Sequence, residues 1–204
     1  MKTRMDQMIA DDLNDLALLR DLFSDPPDAS MERRLEILGR NDARWMTLAQ
    51  TMTRSTTDAL AAEWMRLFEG PGRMPVPLFG SFYLDDGLLM GPSTRAVRTV
   101  YATHGLTPTE AIPADHLAFE LGFLGFLTTE AAVAGAPTSQ LTGQSADQSI
   151  RLDQRVTFAE QWMLSWLPAM TTVLREATTL PFFVQLADRT LAVVRQMVAP
   201  KVYG

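Results

Sequence analysis

The residues best placed to do chemistry are Asp115 and His116, followed one helical turn later by Glu120. His116 and Glu120 are four residues apart and would share one face of a helix. The three side chains could serve a small hydrolase-like enzyme, half of a metal site, or a binding site for a cationic peptide. The structural alternative is that Asp115 caps the helix that starts after Pro113.

The rest of the sequence offers little support for catalysis. There is no cysteine and no Gly-x-Ser-x-Gly motif, and only two histidines are available for a metal. The only lysines are Lys2 and Lys201, so the Gly70-Pro71-Gly72 turn lacks the lysine of a phosphate-binding loop. We therefore predict a protein that is not an enzyme and that holds no metal.

Charge and hydropathy limit the class of partner. The 204-residue chain has a formal net charge of −6, which disfavours nucleic acid and favours a cationic partner. No apolar run is expected to reach the roughly 18 residues of a membrane span, because the longest, Leu117 to Leu127, is broken by Glu120. The first residues include acids where a signal peptide would need an apolar core. We expect a cytoplasmic protein with no membrane span.

Apolar residues recur at spacings of three and four along most of the chain, which predicts an all-α fold. We expect Ser30 to cap the second helix and Gly39 to end it. A proline at 168 is expected to bend the penultimate helix. The predicted helices cover residues 8–23, 30–38, 42–68, 93–104, 115–134, 150–178 and 181–198.

The segment from Gly70 to Pro92 contains nine glycines and prolines, which predicts an irregular loop. Long irregular loops in compact domains are often functional. A second connector spans residues 105–114. We expect two closely associated helical lobes, residues 1–104 and 115–204, joined by a hinge at 105–114.

Three segments have the order and spacing of motifs in a known family. Trp64 to Gly72 has the sequence Trp-Met-Arg-Leu-Phe-Glu-Gly-Pro-Gly, and Val76 to Thr94 contains Pro-Leu-Phe-Gly-Ser-Phe-Tyr and a Met-Gly-Pro turn. The third segment begins at Pro113 with the sequence Pro-Ala-Asp-His-Leu-Ala-Phe-Glu-Leu. Together they resemble the TorD/DmsD family of redox-enzyme maturation chaperones.

This resemblance implies a TorD-like fold and a chaperone that binds a twin-arginine signal peptide. It also implies binding to the apo catalytic subunit of a molybdopterin oxidoreductase, of the DMSO or TMAO reductase type. The chaperone would then assist cofactor insertion before export. A weak contact with GTP or with the molybdenum cofactor, and a monomer or a domain-swapped dimer, are implied by the resemblance alone.

The resemblance also implies which residues bind the signal peptide and the client. Carboxylates such as those of Asp115 and Glu120 can accept guanidinium groups, and aromatic side chains of the loop can receive an apolar stretch. The candidates are Trp64, Leu67, Phe68, Gly70, Pro71, Pro77, Ser81, Tyr83, Asp115, His116 and Glu120.

Overall fold

The computed structural model describes residues 4–70, 74–109, 111–134 and 144–199. It is 75% helical, and its described residues form no strand. This confirms the predicted all-α class. The helices are α1 (Arg4–Ser24), α2 (Ala29–Asn41), α3 (Ala43–Met52), α4 (Thr57–Phe68), α5 (Gly80–Leu84), α6 (Pro92–Thr103), α7 (Leu117–Ala134), α8 (Gln144–Phe158), α9 (Leu167–Ala177) and α10 (Pro181–Val198).

Helix α2 differs from the prediction at both ends. Its N-cap is Asp28, whose side chain accepts a hydrogen bond from the Met31 amide at 2.8 Å, and not Ser30. The helix also continues through Gly39. A Cβ atom at Gly39 would lie 2.8 Å from the Cβ of Ala49 in α3. The glycine therefore allows α2 and α3 to approach closely, and it does not end the helix.

Two helices that were predicted to be continuous are interrupted. The predicted helix 42–68 is divided into α3 and α4, because the Thr56 hydroxyl accepts from the Ala59 amide and starts a new helix. The predicted helix 150–178 contains a π-helical segment, Ala159–Met163, followed by a break before α9. Pro168 lies in the first turn of α9, where a missing amide is tolerated.

One continuous hydrophobic core is shared by helices from both sides of the predicted hinge. Helix α1 packs along α7, α3 packs against α2 and α10, and α8 packs against α7. Trp45, Trp64 and Trp166 are almost completely buried in this core. The division into two lobes at 105–114 stays a prediction.

Buried ion pairs also connect α1 to the C-terminal helices. Asp12 pairs with Arg155 of α8 at 2.9 Å, and both side chains are buried. Asp15 pairs with Arg189 of α10 at 2.8 Å and accepts a hydrogen bond from the Trp45 indole at 2.7 Å. Removing one partner of such a pair leaves a buried charge uncompensated. These contacts therefore fix how α1 lies against the helices around it.

Helix α7 is long and apolar enough to cross a membrane by length and composition alone. Half of its length is buried inside the protein by the packing of its neighbours. The core helix of a folded domain passes the same test, so the property is weak evidence of a membrane span.

Candidate functional site

The glycine- and proline-rich loop is attached to the start of α7. The Leu117 amide donates to the Leu78 carbonyl at 2.8 Å. Phe79 and His116 form an isolated antiparallel bridge. The loop is less irregular than predicted, since α5 lies within it. Two of the three family-like segments therefore meet at one place.

Asp115 caps helix α5 and not its own helix. One carboxylate oxygen accepts from the Ser81 amide at 2.6 Å, and the Asp115 carbonyl accepts from the Gly80 amide at 3.0 Å. The start of α7 is capped by His116, whose Nδ1 accepts from the Ala118 amide at 3.2 Å. Within the described residues, the second carboxylate oxygen of Asp115 is buried without a hydrogen-bond partner.

Glu120 lies in a buried network with two aromatic residues. Its carboxyl is 1% exposed and accepts a hydrogen bond from the Trp166 indole at 3.1 Å. Burial, helped by the nearby charge of Asp115, raises the pKa of Glu120 well above its ordinary value. Tyr83 stacks on Trp166 with ring centroids 5.6 Å apart, and its hydroxyl donates to the Pro77 carbonyl. The network joins α5, α7 and α9.

A small cavity of about 110 Å³ opens beside His116. We call it the His116 pocket. It brings together three of the predicted site residues, Trp64, Phe68 and His116, and one exposed carboxylate, Glu69. The pocket is lined by Phe23, Ser24, Trp64, Phe68, Glu69, Leu78, Ile112, His116, Ala118 and Phe119.

A larger groove of about 390 Å³ lies next to the His116 pocket. We call it the α7 groove. The two cavities share Ala118 and Phe119, so together they follow one side of α7. The groove is mainly apolar, and Arg20, the one charged residue among the described residues that line it, is paired with Asp21. Its lining is Arg20, Tyr101, Leu106, Thr107, Pro108, Thr109, Ala118, Phe119, Gly122, Phe123 and Phe126.

The remaining predicted site residues do not line these cavities. Leu67 is fully buried in the core, and its carbonyl accepts from the Val76 amide at 3.1 Å. Gly70 follows the end of α4, and Pro71 lies outside the described residues. Neither cavity is lined by Pro77, Ser81, Tyr83, Asp115 or Glu120. Their predicted role in direct peptide binding stays a prediction.

Three lining residues of the His116 pocket, Glu69, Phe23 and Phe119, were not predicted from the sequence. Glu69 stood inside a family-like motif, but nothing in the sequence distinguished it from other exposed acids. Phe23 and Phe119 come from α1 and α7, which are far apart in sequence. Only the packing of α1 on α7 shows that they face one cavity.

His116 is held in its neutral form. Burial lowers its pKa from the ordinary 6.5 to about 4, although the neighbouring Asp115 acts in the opposite direction. The unfolded chain therefore takes up a proton at His116 near pH 6.5, while the folded chain resists protonation until about pH 4.

We expect His116 to make the protein less stable as the pH falls from 6.5 to 4. The pKa of His116 is lower in the folded chain than in the unfolded chain. Its contribution to the free energy of unfolding is therefore fully present above pH 6.5, and about 3 kcal/mol is lost as the pH falls to 4. In His116→Asn, the amide oxygen can still accept the Ala118 amide, but no group titrates. Urea unfolding of both proteins across this range should show the difference. If the free energies of unfolding of the two proteins change in parallel with pH, His116 is not held in its neutral form by its surroundings.

Within the described residues, no group of three or more His, Asp or Glu side chains is arranged to hold a metal ion. His116 already accepts a backbone hydrogen bond at Nδ1. The arrangement around Asp115, His116 and Glu120 does provide an apolar cavity beside a fixed loop, with one exposed carboxylate on its lining. Such a cavity suits an apolar side chain that lies next to a cation.

Comparison with known proteins was informative. Residues 38–172 match the family model described as nitrate reductase delta subunit. A relative named chaperone protein TorD, from Vibrio cholerae, is 30% identical over 139 residues, which are 67% of this chain and 60% of that protein. The chain thus spans about three fifths of this relative's length. TorD from Aliivibrio fischeri is 26% identical over 164 residues, which are 79% of this chain and 66% of that protein.

The fold also has a solved counterpart. A crystal structure described as a candidate redox enzyme maturation protein from Archaeoglobus fulgidus matches with a TM-score of 0.56 and 16% sequence identity. The match covers 97% of this chain and 95% of that chain. At this identity the likeness establishes a common fold.

Proposed function

Because the chain belongs to the TorD family, whose sequence model is described as nitrate reductase delta subunit, we propose that it is a cytoplasmic chaperone, without enzymatic activity, for a molybdopterin oxidoreductase. It binds the twin-arginine signal peptide of the apo catalytic subunit and assists insertion of the cofactor before export. The proposal rests on two neighbouring cavities along α7, of which the larger is mainly apolar and the smaller has an exposed carboxylate in its lining.

The His116 pocket is the proposed site for the arginine end of the peptide. Glu69 is exposed at the C-terminus of α4. Its carboxylate can accept a guanidinium through charge-assisted hydrogen bonds. The alkyl part of the arginine can then pack on Ile112 and Phe119, which line the pocket and are not fully buried.

The α7 groove is the proposed site for the apolar stretch of the peptide. Phe119 and Ala118 line both the groove and the His116 pocket, so the two sites are close enough for one extended peptide to contact both. Phe126 and Leu106 are only partly buried and offer apolar surface there. Joining an arginine site to an apolar site raises the affinity for a peptide that has both features.

Asp115 and Glu120 have a different proposed role from direct contact. Both are 1% exposed, so an arginine at the protein surface does not reach them in this structure. Asp115 holds α5 through Ser81, and Glu120 holds Trp166. We assign them the task of fixing the loop, and with it His116, in the conformation that forms the pocket.

We expect Glu69→Gln to weaken binding of a twin-arginine peptide about twofold to fivefold, which is the scale of an exposed ion pair. The substitution removes the charge and keeps the shape. Isothermal titration with the peptide and with a version that has two lysines in place of the arginines measures the effect. The lysine version should bind more weakly to the unchanged protein, because lysine cannot form a bidentate pair.

Glu176→Gln is the matched control for this measurement. Glu176 is an exposed glutamate of α9 that lines neither cavity. Its substitution changes the net charge by the same amount and should leave the affinity unchanged. If Glu69→Gln and Glu176→Gln have equal effects, only the overall charge matters and the assignment of Glu69 is wrong.

A further inference from the structure

We propose that a second groove, between α6, α7 and α8, binds an extended apolar segment that contains one basic residue. This α8 groove has a volume of about 410 Å³. It shares Phe123 with the α7 groove but none of the residues of the His116 pocket. The site therefore goes beyond the proposed signal-peptide site and does not depend on it.

The floor of the α8 groove is apolar and largely aromatic. Phe123 and Phe158 are buried with ring centroids 4.7 Å apart, and Leu127 lies beside them. Trp162 is partly buried and lines the same cavity, as does Ile150, which is 54% exposed. An aliphatic or aromatic side chain that enters from solvent would remove this surface from water.

One wall of the groove is a row of exposed polar side chains. Asp153, Thr157 and Gln161 follow each other at intervals of four residues, and Gln154 lies next to them. A glutamine amide offers both a donor and an acceptor. An extended, unfolded chain has unpaired backbone N–H and C=O groups that need such partners. A folded surface with paired backbone groups would gain less from this wall.

A π-helical segment forms part of the same wall. The Leu164 amide donates to the Ala159 carbonyl at 2.8 Å, which is the five-residue spacing of a π-helix. Gln161 and Trp162 lie within this segment and line the groove. Single π-helical turns are often found at functional sites, because the wider turn changes where side chains point. The irregularity therefore coincides with the groove.

The charge of Asp153 predicts that the partner has a basic residue. Arg151 pairs with Glu130 at 3.0 Å, and Arg155 pairs with Asp12 at 2.9 Å. The two arginines nearest to Asp153 on α8 are thus engaged elsewhere. Among the described residues, Asp153 has no salt-bridge partner, and the chain has a net charge of −6. An arginine or lysine beside the apolar residues of the partner would meet this carboxylate.

A synthetic probe peptide tests the site. It is short and unstructured, it alternates leucine with glutamine, and it has one central arginine; a second version has glutamine at that position. We expect Asp153→Asn to weaken binding of the arginine version about twofold to fivefold and to leave the glutamine version unchanged. Asp58→Asn, at an exposed acid of α4 that lines no groove, is the matched control.

The position at which the probe peptide binds can be determined from the NMR chemical shifts of the isoleucine methyl groups. The chain has four isoleucines, of which Ile150 lines the α8 groove, Ile112 lines the His116 pocket, and Ile9 is buried in the core. Methyl NMR should show that the probe peptide shifts Ile150 and leaves Ile9 and Ile112 unmoved. A probe that shifts Ile112 instead, or binds equally well to Asp153→Asn, or does not bind, overturns the inference.

The same spectra test the α8 groove and the proposed signal-peptide site separately. A twin-arginine peptide should shift Ile112 in both the unchanged protein and Asp153→Asn. Loss of the Ile150 response with the Ile112 response intact would reject the α8 groove alone. Loss of the Ile112 response with the Ile150 response intact would reject the His116 pocket alone.

Discussion

Asp15→Ala should lower the free energy of unfolding by about 3–5 kcal/mol, the usual effect of breaking a buried ion pair. Asp15 of α1 accepts hydrogen bonds from Arg189 at 2.8 Å and from the Trp45 indole at 2.7 Å. The Arg189 guanidinium lies 4.6 Å from the centre of the Trp45 ring. Without the carboxylate, a mostly buried arginine and a buried indole N–H both lose their acceptor. Urea or thermal unfolding measures the loss.

Asp15→Asn separates charge from hydrogen bonding. The amide oxygen can still accept from Trp45, so the loss should be smaller than for alanine, yet clearly measurable, because Arg189 remains without a counter-charge. Asp25→Ala, at an exposed acid after α1, is the control and should change the stability by less than about 0.5 kcal/mol. An Asp15→Ala protein as stable as this control would show that the ion pair does not hold α1 in place.

Trp166→Ala should also destabilise the protein by about 3–5 kcal/mol, and it should weaken binding of a twin-arginine peptide. The ring is fully buried, stacks on Tyr83 and donates to Glu120. A Cβ atom at Gly80 would lie 2.9 Å from the indole nitrogen, so the loop packs directly on this ring. Its removal leaves a cavity under α5, and the loop can no longer hold its position beside His116. Unfolding and peptide titration measure the two effects.

Glu120→Gln keeps the hydrogen bond to Trp166 and removes only the ionisable group. Glutamine can still accept from the indole but cannot ionise. Burial raises the pKa of Glu120, so the folded chain favours the protonated carboxyl. The protonated carboxyl therefore contributes to stability at low pH, and this contribution is lost as the pH rises from the ordinary pKa of glutamate towards the raised pKa. The glutamine variant should therefore be at least as stable at neutral pH. If Trp166→Ala unfolds more easily but binds the peptide with unchanged affinity, the network has no positioning role.

Much of the fold could be predicted from the sequence, because helical periodicity depends on the local order of apolar residues. Helices α1, α7 and α10 were anticipated for this reason. The interruption between α3 and α4 was missed because its polar residues resemble an exposed helix face. The π-helical segment, Ala159–Met163, was also missed. Thr56 is a residue type that favours helix N-caps, and this local signal for the start of α4 was overlooked.

The candidate site was predicted only in part. The resemblance identified the two segments that meet at His116, and the structure places the loop next to Asp115. The extent to which each side chain is buried could not be predicted from the sequence. Asp115 and Glu120 were expected to be available for arginine, but their surroundings come from α5 and α9, which are distant in sequence. Glu69 was overlooked because an exposed acid becomes informative only when the cavity beside it is known.

In the proposed function, a twin-arginine peptide binds along α7 with its arginine end at the His116 pocket. Methyl NMR of the isoleucine-labelled protein reports whether this pocket is occupied. Ile112 lines the pocket, while Ile37, an exposed residue of α2, lies at a separate cavity. We predict that the twin-arginine peptide shifts Ile112 in a saturable manner, leaves Ile37 unmoved, and has a weaker effect when lysines replace its arginines. An unmoved Ile112, or an equal response to the lysine peptide, would contradict the account.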